Sequence, residues 1–139
     1  MGWKEVEDMK QKVSDYIADR LAQERISQVF TVTGGGAMHL NDSLGHHPGL
    51  SCLYHHHEQA AAMAAEAYAR VDNRMAAVCV TSGPGATNAI TGVLCAWMDS
   101  IPMLVLSGQV RYDTTVRHSG LKIRTMGVQE YDITPSVEH

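Results

Sequence analysis

The sequence has no basic run, no long apolar run and no paired-cysteine motif. Net charge is −4 with histidine neutral, and the pI is about 6.0. That balance excludes the electrostatic footprint of a nucleic-acid binder, and no basic cluster argues for a membrane surface. No apolar stretch approaches the roughly 18 residues a membrane span needs. Met1 to Lys12 is charged and polar, unlike a signal peptide. The three cysteines, Cys52, Cys79 and Cys95, are an odd number without a CxxC pair. Each lies in an apolar stretch, which predicts buried, reduced thiols in a cytoplasmic protein. HExxH and paired-carboxylate motifs are absent, as are GxxxxGK[ST] and the full GxGxxG spacing. There is no internal repeat and no low-complexity segment.

What is present fits one domain. Apolar residues make up 45% and charged residues 19% of 139, enough for a buried core. Val6, Met9, Val13, Tyr16, Ile17 and Leu21 recur at helical spacing, which predicts an amphipathic helix over 5–24. Val29 to Thr33 is a β-branched and aromatic strand stopped by three glycines. A short helix is expected within 37–47, ending near Gly45 and Pro48, then a strand over 50–54. "EQAAAMAAEAYARV" (58–71) consists of strong helix formers. "MAAVCVTS" (75–82) is an apolar strand closed by Gly83-Pro84-Gly85, followed by a helix over 86–100 and a strand over 102–108. Past Gln109 the pattern fades into a loop-rich tail with one short helix. Strands that alternate with helices and run continuously apolar predict an α/β three-layer sandwich, a mostly parallel sheet flanked by helices.

Ligands of open parallel sheets bind beyond the carboxyl ends of the strands. Those ends hold Thr33, Gly34, Gly35 and Gly36; His55, His56, His57 and Glu58; Thr81, Ser82, Gly83, Pro84 and Gly85; and Ser107, Gly108 and Gln109. Glu58 is the one carboxylate in the set. Small apolar neighbours disfavour its charged form, while a helix N-terminus favours it. Such a carboxyl suits general acid–base work or hydrogen bonding to a ligand nitrogen. It equally suits a plain helix start, and the GGG and GPG stretches equally suit ordinary turns. Three adjacent histidines invite a metal reading. Successive residues of an extended chain point to alternate faces, so three in a row rarely converge on one ion, and no metal site is assigned. Trp97 is expected in the core.

The same residues carry a family resemblance. "HEQAAAMAAEAYAR", "VTSGPGATNAITGVLCAWMDSIPMLVLSGQV" and, more loosely, "VFTVTGGGAMHLNDSL" resemble the N-terminal, pyrimidine-binding domain of thiamine diphosphate enzymes of the acetolactate synthase and pyruvate oxidase group. The resemblance runs from about Val29 to Val110, and more weakly to Gln129 and Glu130. It implies that Glu58 hydrogen-bonds a ring nitrogen of the cofactor's aminopyrimidine and promotes its imino tautomer, which then deprotonates the thiazolium carbon for attack on a 2-keto acid. It implies Val32 and Thr33 beside the pyrimidine, Thr81, Pro84 and Asn88 lining that pocket, and Gly35, Gly36 and Gln129 toward the substrate. The alanines at 60, 61, 64 and 65 would let another backbone or a subunit approach closely, and the exposed alanine-rich helix and the helix after Gly83-Pro84-Gly85 would supply a two-fold interface of a homodimer or tetramer.

Departures accompany it. Thr31 and Thr33 flank position 32 where the family often has Gly and Pro, and Gly36 leaves extra room. "RHSGLKIRTMG" replaces a more acidic, glycine-rich stretch; His118, Lys122 and Arg124 there meet either an anionic substrate or solvent. Gly-Asp-Gly, which in the family holds the diphosphate through Mg²⁺ in another domain, is absent. The resemblance therefore implies residues 1–139 as a single pyrimidine-binding domain, a part of a larger enzyme, inactive alone and completed by a diphosphate-binding domain that holds Mg²⁺, with FAD admissible in the full enzyme. The competing readings are a stand-alone Rossmann-like nucleotide-binding module and a catalytically inert dimerisation domain.

Overall fold

The computed structural model describes residues 10–138. Four strands, β1 (Gln28–Thr31), β2 (Ser51–Tyr54), β3 (Ala76–Val80) and β4 (Met103–Ser107), form one sheet in the order β2-β1-β3-β4, every pair parallel. The helices between them are α2 (Met38–His46), α3 (Glu58–Asp72) and α4 (Pro84–Met98), with α1 (Val13–Gln23) leading in. The tail carries two short helices, α5 (Val116–Ser119) and α6 (Thr134–Val137).

Side chains of a strand alternate between the two sheet faces, and two cores follow. Phe30, Ala76, Val78 and Val80 meet the alanines of α3 and α4 on one face. Val29, Ala77 and Cys79 meet Ala18 and Leu21 of α1 and Leu44 of α2 on the other. This is the predicted three-layer sandwich. Central β3 is buried throughout, whereas the edge strands β2 and β4 are only partly covered. Full burial of a valine such as Val78 contributes roughly 1.5–3 kcal/mol, so the continuously apolar run at 76–80 anchors both layers.

Several element ends differ from expectation for identifiable reasons. α4 starts at Pro84 rather than residue 86, because Pro fits the first helical turn. α3 ends on Asn73 in the left-handed conformation (φ 54°), a common helix stop. The helix predicted over 5–24 begins at Val13; Val6 and Met9 lie outside the described residues. Its inner face is Ser14, Ala18 and Leu21, and Val13 and Tyr16 are exposed. The buried hydroxyls of Ser14 and Ser43 bond one another at 2.8 Å, so a polar pair occupies the α1–α2 contact where the apolar pattern placed valine and tyrosine.

Two burial expectations are corrected. Trp97 is 71% exposed, on the outer face of α4 with Leu94 and Met98. Cys95 is exposed on the same helix and Cys52 is half-buried; Cys79 alone is buried, and burial pushes its thiol up to about 11. The face of α4 that contacts α3 and the sheet is built from Gly85, Ala86, Ala89, Gly92 and Ala96 instead.

The α3–α4 seam is unusually tight. A Cβ added to Gly92 would lie 2.5 Å from Ala62 Cβ and 2.8 Å from the Met63 nitrogen. Ala61 and Ala65 are fully buried within this chain, so of the two expected uses, approach of another backbone or of a subunit, they serve the first; of that group only Ala60 is exposed and Ala64 half-buried. Gly92→Ala is expected to destabilise the fold by about 1–3 kcal/mol through overpacking, read as a lowered denaturant midpoint at unchanged slope.

Candidate functional site

The strand ends converge as parallel pairing requires. A Cβ on Gly34 would lie 2.4 Å from Thr81 Cβ, one on Gly36 would lie 2.6 Å from Ser82 Oγ, and one on Gly108 would lie 2.3 Å from the Gly36 carbonyl oxygen. The loops after β1 and β3 thus touch backbone to side chain, and those after β1 and β4 backbone to backbone, approaches that glycine permits. Gly36 N–H donates to Thr81 Oγ1 at 3.0 Å.

Glu58 opens α3 and is half-buried. His57 caps the helix, its Nδ1 accepting from Gln59 N–H at 3.1 Å. His55 turns back, its Nδ1 3.0 Å from the Leu53 carbonyl and its ring 5.8 Å from that of Phe30. His55 and His57 are therefore used singly, each at its own backbone group. Asn88 Nδ2 donates to Glu58 Oε2 at 3.0 Å. Oε1 has no hydrogen-bond partner among the described residues, and a Cβ on Gly85 would lie 3.4 Å from it and 2.6 Å from the Thr81 methyl. One carboxylate oxygen is engaged; the other is unbonded but not buried, while the Thr81 methyl fills the position a side chain at Gly85 would take.

Thr81 joins two groups of predicted residues. Its methyl packs against Gly85, beside Glu58; its hydroxyl accepts from the N–H of Gly36, which lines a cleft of about 640 Å³. Gly35, Gly36 and Gln129 line that cleft, along with residues that sequence reasoning missed: Met38, His39, Val110 and Arg111. Pro84 and Gln129 share a second cleft with Gly83 and Thr87. Val32 and Thr33 lie in the loop leading to Gly34, and no hydrogen bond ties either to Glu58 among the described residues. His118, Lys122 and Arg124 are exposed and line neither cleft; the His118 ring rests edge-on against Tyr112 at 4.9 Å.

A family profile described as thiamine pyrophosphate enzyme, N-terminal TPP binding domain, matches residues 11–131. The chain belongs to the thiamine pyrophosphate enzymes, as their N-terminal TPP-binding domain. It is 42% identical over 97 residues to the acetolactate synthase large subunit of Haemophilus influenzae, covering 70% of this chain and 17% of that protein. It is 44% identical over the same length to acetolactate synthase isozyme 3 large subunit of Escherichia coli, again 70% and 17%. To the large subunit of Cyanidium caldarium it is 38% identical over 130 residues, 88% of this chain and 21% of the relative. A solved structure titled as a putative thiamin diphosphate-dependent enzyme from Mycobacterium smegmatis superposes with a TM-score of 0.70 at 20% identity, covering 78% of this chain and 20% of that one; that likeness concerns the fold. The TPP-binding domain thus spans about a fifth of the length of these relatives.

The TPP-binding domain also has an organiser in its tail that no motif announced. Glu130 Oε1 accepts from Val116 N–H at 2.6 Å, and Oε2 from Met126 and Gly127 N–H at 2.9 and 3.1 Å. Gln109 Nε2 donates to the Tyr131 carbonyl at 2.8 Å. These bonds strap residues 109–131 across the strand ends, with Gln129 in the left-handed conformation and its carbonyl against Gly83 (φ 59°). The Met126 N–H, with those of Val116 and Gly127, holds the Glu130 carboxyl below the ordinary glutamate range. A carboxyl lowered on folding stabilises above its unfolded value and loses that contribution as pH falls through its folded value. The Val116, Met126 and Gly127 amides are therefore expected to stay protected near neutrality and to lose protection as pH drops below about 4. Glu130→Ala should remove that protection at every pH, measured by amide hydrogen exchange.

Proposed function

We propose that this chain is the pyrimidine-binding part of an acetolactate synthase-like enzyme that decarboxylates or joins 2-keto acids, with Glu58 as the residue that activates thiamine diphosphate. The observation that carries this reading is the unbonded, solvent-accessible Glu58 Oε1, its partner oxygen already engaged by Asn88. A carboxyl with one committed and one open oxygen suits a single hydrogen bond to a ring nitrogen. Gly85 sets no side chain against that oxygen: even an added Cβ would lie 3.4 Å from it. The residues present thus fit the aminopyrimidine of thiamine diphosphate.

When bound, that cofactor supplies the carbanion chemistry. The chain's own part is to hold and share a proton at Glu58 Oε1, and to shape the pocket with Thr81, Pro84, Asn88, Val32 and Thr33. Gly35, Gly36 and Gln129 face the reacting substrate across the large cleft. The diphosphate and its Mg²⁺ fall to a diphosphate-binding domain outside residues 1–139, and FAD is compatible with the full enzyme. Homodimeric or tetrameric assembly in the cytoplasm completes the reading. Among the described residues no helix is long and apolar enough to cross a membrane.

In the enzyme assembled with its diphosphate-binding domain, Glu58→Gln is expected to slow proton exchange at the thiazolium carbon by about 10²–10⁴-fold, the usual share of a positioned acid or base, without loss of fold. Exchange followed by NMR at the wild-type rate would reject the assignment. The isolated chain should bind thiamine diphosphate with Mg²⁺ weakly or not at all by titration calorimetry; tight binding would argue instead for a self-sufficient nucleotide-type module.

A further inference from the structure

The two helices behind the site run in a fixed register. Asn88 meets Glu58, and four residues on, Gly92 meets Ala62. Both pairs have the same offset of 30 residues. Two turns beyond, Arg70 Nη2 reaches Asp99 Oδ2 at 2.6 Å, while also binding Glu66 one turn back on α3. One turn of helix is 3.6 residues, so residues four apart share a face. The seam therefore descends α3 and α4 together, and the closest approach, at Gly92, lies one turn below the carboxylate. Asn88 can reach Glu58 with a short side chain because the helices touch through small residues there.

We propose that Asn88 is a positioning residue that acts through Glu58: its amide occupies Oε2, so that Oε1 alone is presented to the cofactor ring. This rests on the reading of Glu58 given above and deepens it. A free carboxylate rotates about its last torsion and offers either oxygen. The amide bond removes that freedom, and the remaining oxygen is left unbonded and open to solvent. Asn88 itself is exposed on the first turns of α4 and supports no core contact. Its replacement therefore removes a hydrogen bond and leaves the packing of the seam intact.

Thiamine diphosphate affinity with Mg²⁺ separates action through Glu58 from direct contact with the ring. It is to be measured by equilibrium dialysis on the assembled enzyme for wild type, Asn88→Ala, Glu58→Gln and the double variant, with proton exchange at the thiazolium carbon followed in parallel. Asn88→Ala is expected to weaken binding and slow exchange by about tenfold, the loss of one hydrogen bond to a charged group. In the Glu58→Gln background the same change should alter affinity less than twofold, because residues acting as a unit are non-additive. Asn88→Asp, of the same shape but lacking the donor, should be at least as defective as Asn88→Ala, with an unchanged melting temperature. An equal loss of affinity in both backgrounds would mean that Asn88 contacts the cofactor on its own account, and wild-type behaviour of Asn88→Asp would mean that the amide does nothing; either overturns the proposal. Wild-type exchange in Glu58→Gln would instead reject the role given to Glu58.

Discussion

The close approach of α3 to α4 at Gly92 and Ala62 is the constraint on which the rest of the structure depends. Two helices on one sheet face pack at a distance set by the side chains between them. Here those side chains are hydrogen and methyl groups. The carboxylate that opens α3 and the amide on the first turns of α4 come within hydrogen-bonding distance as a consequence. Larger residues along that seam would separate the pair and leave Glu58 free to turn either oxygen outward.

A second constraint acts at the strand ends. Gly34, Gly36 and Gly108 let the loops after β1, β3 and β4 close on Thr81, Ser82 and one another. Thr81 is the pivot, with its hydroxyl turned to Gly36 and its methyl to Gly85. Over this floor the tail is tied by the Glu130 carboxylate, which gathers donors from two separated stretches of chain. The site is thus assembled from small residues that permit approach and from a few polar groups that fix what has approached. That division explains why a chain of modest charge can place a single carboxylate with one oxygen free.

The outer face of α4 shows the limit of reasoning from apolarity alone. Leu94, Trp97 and Met98 look like core residues in sequence, yet they are exposed while glycine and alanine fill the interior. The sheet and α3 come too close to α4 to admit anything larger. The same holds on α1, where a serine pair is buried and Val13 and Tyr16 are not.

The sequence by itself determined the layer order, the parallel sheet and the collection of Glu58, the glycine turns and Thr81 at one sheet edge. Periodicity and strand polarity suffice for these, because a parallel sheet must place all strand ends together. It also carried the family, whose profile matches residues 11–131. Tertiary structure alone decided which face of each helix turns inward, that His55 and His57 work singly, and that Glu130 secures the tail. Those outcomes depend on distances between segments far apart in the chain, such as the 2.5 Å approach at Gly92 and the 3.0 Å bond from Asn88 to Glu58, and no local pattern of residues encodes a distance.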